Sequence, residues 1–216
     1  MSNPFMEIYD TLLNHYGNPH WWPADTPYEV MVGAVLTQNT AWTNVEKALA
    51  NFAGSWKPCL IASMPLDQLK LIIKPAGFFN QKAIYLKNIT SWFQTYHFDV
   101  SLVKQEPLAS LRKELLSVKG IGPETADSIL LYAFDFPSFV VDAYTKRLCE
   151  RYPLKVGDNY EAVKHAFEQN IPREINVYNN YHALIVLHGK YYCRKRRPLC
   201  EACPLGGRCQ NNQQKN

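Results

Sequence analysis

Apolar residues along the chain recur mostly three and four positions apart. Phe5, Ile8, Tyr9, Leu12 and Leu13 set this rhythm directly behind Asn3-Pro4, a capping residue followed by a proline whose fixed φ suits the first turn of a helix. Tyr28, Met31, Val32, Val35 and Leu36 form a second stripe. Val45, Leu49 and Phe52 form a third, for which Thr40 is the expected cap. The same spacing predicts helices over about 65–73, 80–96, 107–117, 124–134, 142–152, 160–169 and 175–192. Prolines 4, 23, 27, 65, 107, 123 and 137 fall at the joints, where a missing N–H does least harm to a helix. No segment alternates as a half-buried strand would, no repeat of fixed period appears, and only the polar tail 210–216 is of low complexity. An all-α fold is expected.

Composition narrows the class. A chain of 216 residues can form one large domain or two small ones. With 47% hydrophobic and 19% charged residues it falls in the ordinary globular range, which argues against disorder. No apolar run approaches the roughly 18 residues that a membrane span needs. The start, MSNPFMEIYD, lacks the charged and then apolar order of a secretory signal. A cytoplasmic protein with no membrane partner is expected, nucleoid-associated if the source is prokaryotic.

Charge and cysteine are unevenly placed. From Lys190 onward there are seven Lys or Arg against Glu201 alone, or +6, whereas the preceding 189 residues carry 16 basic and 18 acidic groups, or −2. Such a concentration suits either a polyanion partner or a solvated basic tail. Cys193, Cys200, Cys203 and Cys209 follow the spacing C-x6-C-x2-C-x5-C. In a reducing compartment such a group reads as a metal site rather than as disulfides. Structural zinc usually takes two short knuckle pairs, and only one C-x2-C occurs here. Four thiolates on one loop suit a [4Fe–4S] cluster better, with zinc as the alternative. Cys59 and Cys149, in apolar helical surroundings, are expected in the core.

Two further segments carry chemistry. In "VKGIGPETA", Gly120 and Gly122 lie between two expected helices. Glycines at a helix start leave backbone N–H groups pointing outward at the positive end of the dipole, where a phosphate oxygen can bind. No strand and third glycine mark a dinucleotide site, and no G-K-[ST] marks a P-loop. The bland alternative is a plain helix–helix turn. Twenty residues after Gly122, Asp142 follows the apolar Phe139, Val140 and Val141 and begins an amphipathic stretch, a position that an ordinary N-cap would also fill.

Taken together, the G-I-G hairpin, the V-D-x-x-x-x-R segment beginning at Val141 and the terminal cysteine spacing resemble the endonuclease III branch of the helix–hairpin–helix DNA glycosylases. Gly77-Phe-Phe-Asn-Gln-Lys-Ala83 is similar to that family's G-x-Y-N-x-K-A segment, and Leu187-His-Gly-Lys-Tyr-Tyr-Cys193 to the helix that enters its first cluster ligand. The resemblance implies two all-α domains: a six-helix barrel over 24–135 with the helix–hairpin–helix at 108–133, and a cluster domain formed by 1–23 together with 136–216, its cluster loop at 193–209. A DNA-binding cleft would lie between them. It further implies a monomer acting on double-stranded DNA with a damaged base, and a [4Fe–4S] cluster on the four cysteines.

The implied reaction is hydrolysis of a base–deoxyribose bond, for which the base must leave the helix stack at a cost of a few kcal/mol. By resemblance the gap is filled from the loop bearing Gln38 and Asn39 and by Phe78, while Gly120, Gly122 and Thr125 of the hairpin hold phosphate. Phe78 could equally be a core aromatic. Asp142 matches the family aspartate, a carboxylate able to stabilise an oxocarbenium-like sugar and to direct water. Family members that also cut the strand carry a lysine two residues after the second hairpin glycine, and its amine forms a Schiff base. Here that position is Glu124. A monofunctional glycosylase with little or no lyase activity is expected.

The base itself is suggested by tryptophans. His20-Trp-Trp-Pro23 and Thr40-Ala-Trp42 resemble segments of the 3-methyladenine glycosylase III subgroup. That places Trp21, Trp22, Pro23 and Trp42, with Glu124 nearby, around the base. Tryptophan gives the strongest cation–π face for a ring-methylated, positively charged purine, whose bond to the sugar is already weak. Some members of that subgroup lack the cluster cysteines, and this chain has all four. Alternatives are an enzyme for damaged or mispaired pyrimidines and a non-catalytic binder of DNA structure. Between the first two cysteines, Arg194, Lys195, Arg196 and Arg197 would meet phosphate.

Overall fold

A computed structural model describes residues 3–19, 21, 24–52 and 56–213. Among them the chain forms thirteen α-helices and no strand, as the three-and-four spacing predicts. In order they are α1 (Pro4–Tyr16), α2 (Pro27–Leu36), α3 (Trp42–Ala50), α4 (Pro58–Ser63), α5 (Leu66–Ile72), α6 (Phe79–Thr95), α7 (Val100–Val103), α8 (Leu108–Ser117), α9 (Pro123–Tyr132), α10 (Ala143–Arg151), α11 (Tyr160–Asn170), α12 (Ile175–Tyr191) and α13 (Gln210–Gln213). Helices α4, α7 and α13 have no counterpart in the sequence reading because one or two turns are too short to show a stripe.

The starts follow local chemistry. Asn3, Thr26 and Asn159 each accept a backbone N–H in the first turn of α1, α2 and α11, replacing a partner that the helix itself lacks. The expected cap of α3 is different. Ala41, not Thr40, occupies the cap position without a side-chain bond, and the Thr40 hydroxyl instead accepts from Asn44 Nδ2 at 3.3 Å.

The chain divides into two compact units, residues 22–136 and residues 1–21 with 137–216. In the first, α2 is buried along nearly its whole circumference, the signature of a central helix. It packs on α6 and α9, and Met31, Val35 and Leu36 are fully enclosed. Each such side chain stabilises the unit by about 1.5–3 kcal/mol. In the second unit α12 packs on α1 and α10. Its core is aromatic: Phe139 stacks on Phe167 with centroids 4.4 Å apart, and the Tyr181 hydroxyl donates to the Phe5 carbonyl at 2.7 Å. Cys59, expected in the core, is exposed, and Cys149 is half-buried.

Candidate active site and DNA-contact elements

The hairpin 118–122 joins α8 to α9 in the first unit. Gly120 has φ +98, and a Cβ there would meet the Tyr85 ring at 2.1 Å, so glycine is required both for conformation and for room. Its carbonyl accepts from Gln38 Nε2 at 3.0 Å, and the Lys119 carbonyl accepts from Asn88 Nδ2 at 2.9 Å. With the carbonyls held inward by two carboxamides, Gly122 stands exposed at the cap of α9. Arg112 clamps the helices together through two hydrogen bonds to the buried Asp127 carboxylate, at 2.9 and 3.1 Å.

Two residues assigned to DNA differ from expectation. Thr125 is buried, and its hydroxyl accepts from Gln38 Nε2 at 3.0 Å; only its backbone N–H is left at the helix start. Gln38 therefore spends its amide on the hairpin rather than presenting it outward. Its neighbour Asn39 is exposed, with φ +52.

Phe78 is not a core aromatic. It is 63% exposed, with φ +46, immediately before α6. A bulky residue in the left-handed region is costly and persists only where its surroundings enforce it. Close by, Lys82 is buried at 2% exposure, and its Nζ donates to the carbonyls of Leu36 and Ala76, both at 2.8 Å. One ammonium thus ties the loop bearing Asn39 to the turn bearing Phe78. Burial pushes its pKa down to about 8. The sequence marks Lys82 only as part of a motif, and its bridging role is a finding of the structure.

Asp142 belongs to the second unit. The preceding apolar run is packed into the core, and Phe139 N–H donates to Glu168 Oε1 at 2.9 Å, so the run cannot slide. Asp142 then caps α10. Its Oδ1 accepts from Thr145 N at 2.7 Å and from Thr145 Oγ1 at 2.9 Å, while Oδ2 faces His182 Nε2 at 3.5 Å. Burial by itself would raise the carboxyl's pKa, but His182 and the two Thr145 donors outweigh it and hold the pKa below the ordinary range. The carboxylate is thus kept ionised although only 9% exposed. His182 carries no signal in the sequence beyond its place on α12.

The four cysteines are free thiols that line one cavity, together with Arg151, His188 and others. Arg151 Nη1 and Asn211 Nδ2 donate to Cys193 Sγ and Cys200 Sγ, both at 3.4 Å, and His188 Nε2 lies 3.6 Å from Cys203 Sγ. Burial pushes His188 down to about 4, which keeps its ring neutral. Among the described residues no three His, Cys, Asp or Glu converge on a single ion. Two arginines of α10 hold the loop: Arg147 Nε donates to the Cys193 carbonyl at 2.7 Å, and Arg151 Nη1 to the Arg194 carbonyl at 2.8 Å. The side chains of Arg194, Lys195, Arg196 and Arg197 remain exposed.

The tryptophans assigned to the base belong to different units. Trp42 is half-buried against the core of the first unit. Trp21 is half-buried in the second, with Lys190 Nζ 5.4 Å from its ring centroid. Trp22 and Pro23 lie outside the described residues. Glu124 is exposed in the first turn of α9.

Residues 32–173 match the model of the HhH-GPD superfamily of base-excision DNA repair proteins. The chain belongs to that superfamily. A provisionally named DNA repair glycosylase of Methanocaldococcus jannaschii is 48% identical over 208 residues, 94% of each chain. Endonuclease III of Escherichia coli is 27% identical over 86% of this chain and 84% of its own. A solved endonuclease III trapped covalently on DNA superposes with a TM-score of 0.85, covering 100% of this chain and 99% of that one at 22% identity, a likeness of fold. The 3-methyladenine DNA glycosylase MagIII of H. pylori, bound to 1,N6-ethenoadenine, is 29% identical over 88% of this chain and 98% of its own, with a TM-score of 0.72. As a member of the HhH-GPD superfamily, this chain is a DNA N-glycosylase of base-excision repair.

Proposed function

We propose that this HhH-GPD protein is a monofunctional glycosylase. The observation that carries the reading is Glu124, in the first turn of α9 and two residues after Gly122. A carboxylate there cannot attack the sugar as an amine would, so water is the nucleophile. Asp142 accepts the proton of that water as the C–O bond forms, and the N-glycosidic electron pair leaves with the base. Its ionised form also stabilises the cationic sugar. Outward N–H groups at the start of α9 hold a phosphate, and Asn39 and Phe78 fill the space that the extruded base vacates. The four cysteines would hold a [4Fe–4S] cluster, which supplies no step of the hydrolysis. Their loop instead presents Arg194, Lys195, Arg196 and Arg197 to the DNA backbone.

For the base, an alkylated purine such as 3-methyladenine is supported by the sequence segments around Trp21 and Trp42 and by the 29% identity to MagIII. A specific observation favours a second reading, a neutral damaged or mispaired pyrimidine. The Lys190 ammonium already sits over the Trp21 ring, and a cationic base would meet a like charge across that ring. Single-turnover base release from duplexes containing 3-methyladenine, 7-methylguanine, uracil, thymine glycol and a G·T pair decides between them. Release of uracil or thymine without methylpurine would overturn the alkylpurine reading. A borohydride-trapped adduct on abasic DNA would overturn the monofunctional one.

A further inference from the structure

Residues 137–142, which lead into Asp142, lie outside any helix, so their backbone groups have no ladder of their own. Phe139, Val140 and Val141 are nevertheless buried, and an unpaired polar backbone group in such a place is costly. The partners come from one face of one helix. In α11, Tyr160, Lys164 and Glu168 stand four residues apart, and side chains at that interval lie one above another.

Each of the three grips the segment. The Phe139 N–H donates to Glu168 Oε1 at 2.9 Å. Lys164 Nζ donates to Ser138 Oγ at 2.8 Å, to the Phe139 carbonyl at 3.4 Å and to Glu168 Oε1 at 2.5 Å. The Val141 N–H donates to the Tyr160 hydroxyl at 3.4 Å. The lysine is only 7% exposed, a position that an ammonium keeps where it is paired and hydrogen-bonded. These bonds set the register of the segment on α11. A slip of one residue would carry position 142 up to about 3.8 Å along the chain. That exceeds the whole separation of 3.5 Å between Asp142 Oδ2 and His182 Nε2.

We propose that Tyr160, Lys164 and Glu168 are positioning residues for Asp142, a rail along α11 that fixes the register of 138–141 and so the place of the carboxylate. The inference deepens the glycosylase reading above and rests on it, adding residues that act only through Asp142. Thr145 and His182 hold the carboxylate itself, from α10 and α12, whereas the rail holds the chain that delivers it. Glu168 is the central member, because its Oε1 receives both the Phe139 N–H and the Lys164 ammonium. Sequence reading passes over all three. Tyrosine, lysine and glutamate four apart on an amphipathic helix look like a solvated face until the fold lays residues 138–141 along them.

The test compares wild type, Glu168→Ala and Glu168→Gln in three measurements. These are single-turnover base release from the five duplexes named above, affinity for a duplex carrying a tetrahydrofuran abasic analogue, and amide hydrogen exchange across 138–142. Glu168→Ala loses both Oε1 bonds, whereas the carboxamide oxygen of Glu168→Gln can accept both. Glu168→Ala should speed exchange of the Phe139 amide by about tenfold or more. It should slow release of whichever base the wild type releases by about 10–100-fold and leave abasic affinity within about twofold. Glu168→Gln should return exchange and release to near the wild-type values. Unchanged exchange in Glu168→Ala would overturn the rail. Faster exchange with unchanged release, parallel loss of release and abasic affinity, or no rescue by Glu168→Gln would overturn its positioning of Asp142 while the glycosylase reading stands. Wild type silent on every duplex would instead overturn the glycosylase reading itself, and exchange would still decide whether α11 holds the segment. Should Glu168→Ala fail to fold, Tyr160→Phe replaces it, deleting one hydroxyl. Exchange at Val141 should then quicken and release slow by about 2–10-fold, with the same overturning outcomes.

Discussion

His182 Nε2 stands 3.5 Å from Asp142 Oδ2, on the side of the carboxylate opposite the two Thr145 donors. The buried carboxylate is thereby supported from α10 and α12 at once. Because it is held below the ordinary carboxylate range, the ionised form dominates throughout the neutral region. Asp142→Asn keeps the shape and loses the charge. Base release should fall by about 10²–10⁴-fold, while affinity for abasic duplex is retained. His182→Ala removes a group that favours ionisation, so burial then raises the carboxyl's pKa. The acid limb of the rate profile should move to higher pH. A profile that stays in place would show that His182 does not support the charge.

In the monofunctional reading proposed above, Glu124 would mark the difference between hydrolysis and strand cleavage. With the hairpin held by Gln38 and Asn88, an exposed residue in the first turn of α9 can change without disturbing the core. Glu124→Lys should therefore fold normally and acquire a borohydride-trapped adduct on abasic DNA that the wild type lacks. Absence of the adduct from a folded Glu124→Lys would show that position 124 alone does not decide the chemistry.

These two sites illustrate what a sequence can disclose. The helices were legible because burial of one face imposes a period, and the grouping of the four cysteines because their spacing is local. Asp142 and the G-I-G hairpin were legible because each occupies a short contiguous motif. Residues acting across long separations left no comparable trace. Gln38 reaches Gly120 and Thr125 over more than eighty positions. Lys82 joins segments that the sequence treats separately, and nothing in the order of residues indicates that His182 meets Asp142. Exposure of Phe78 was also hidden, since an aromatic before a helix is apolar whether it is buried or displayed.

Lys82 carries a prediction with a definite sign. Its folded pKa, about 8, lies below the ordinary value of 10.5. Between those values the unfolded chain binds more protons than the folded one, so the lysine's contribution to stability rises with pH across that window. Below about pH 8 both states are charged, and the full cost of burying the ammonium is present. Lys82→Met has no such titration and leaves the carbonyls of Leu36 and Ala76 without their donor. It should cost about 2–4 kcal/mol at pH 7. Its deficit against the wild type should widen between pH 8 and 10 in chemical denaturation. A deficit independent of pH would show that Lys82 titrates as an ordinary exposed lysine.

Arg151 and the basic run on the cysteine loop can be separated experimentally. Arg151 points inward: its guanidinium donates to Cys193 Sγ and to the carbonyls of Arg194 and Lys195. The side chain of Arg196 points to solvent. If the cysteines hold the cluster proposed above, Arg151→Ala loosens the loop that carries two of its ligands. Iron should then be lost several-fold faster to a chelator, and the loop at 194–199 should become a site of proteolytic cleavage. The salt dependence of DNA affinity should change little, since no phosphate contact is removed. Arg196→Ala should do the reverse, keeping iron at the wild-type rate and lowering the slope of log affinity against log salt by about 0.9. Equal iron retention in wild type and Arg151→Ala would remove the arginine's role as a support. An unchanged slope in Arg196→Ala would remove that side chain from the DNA contact.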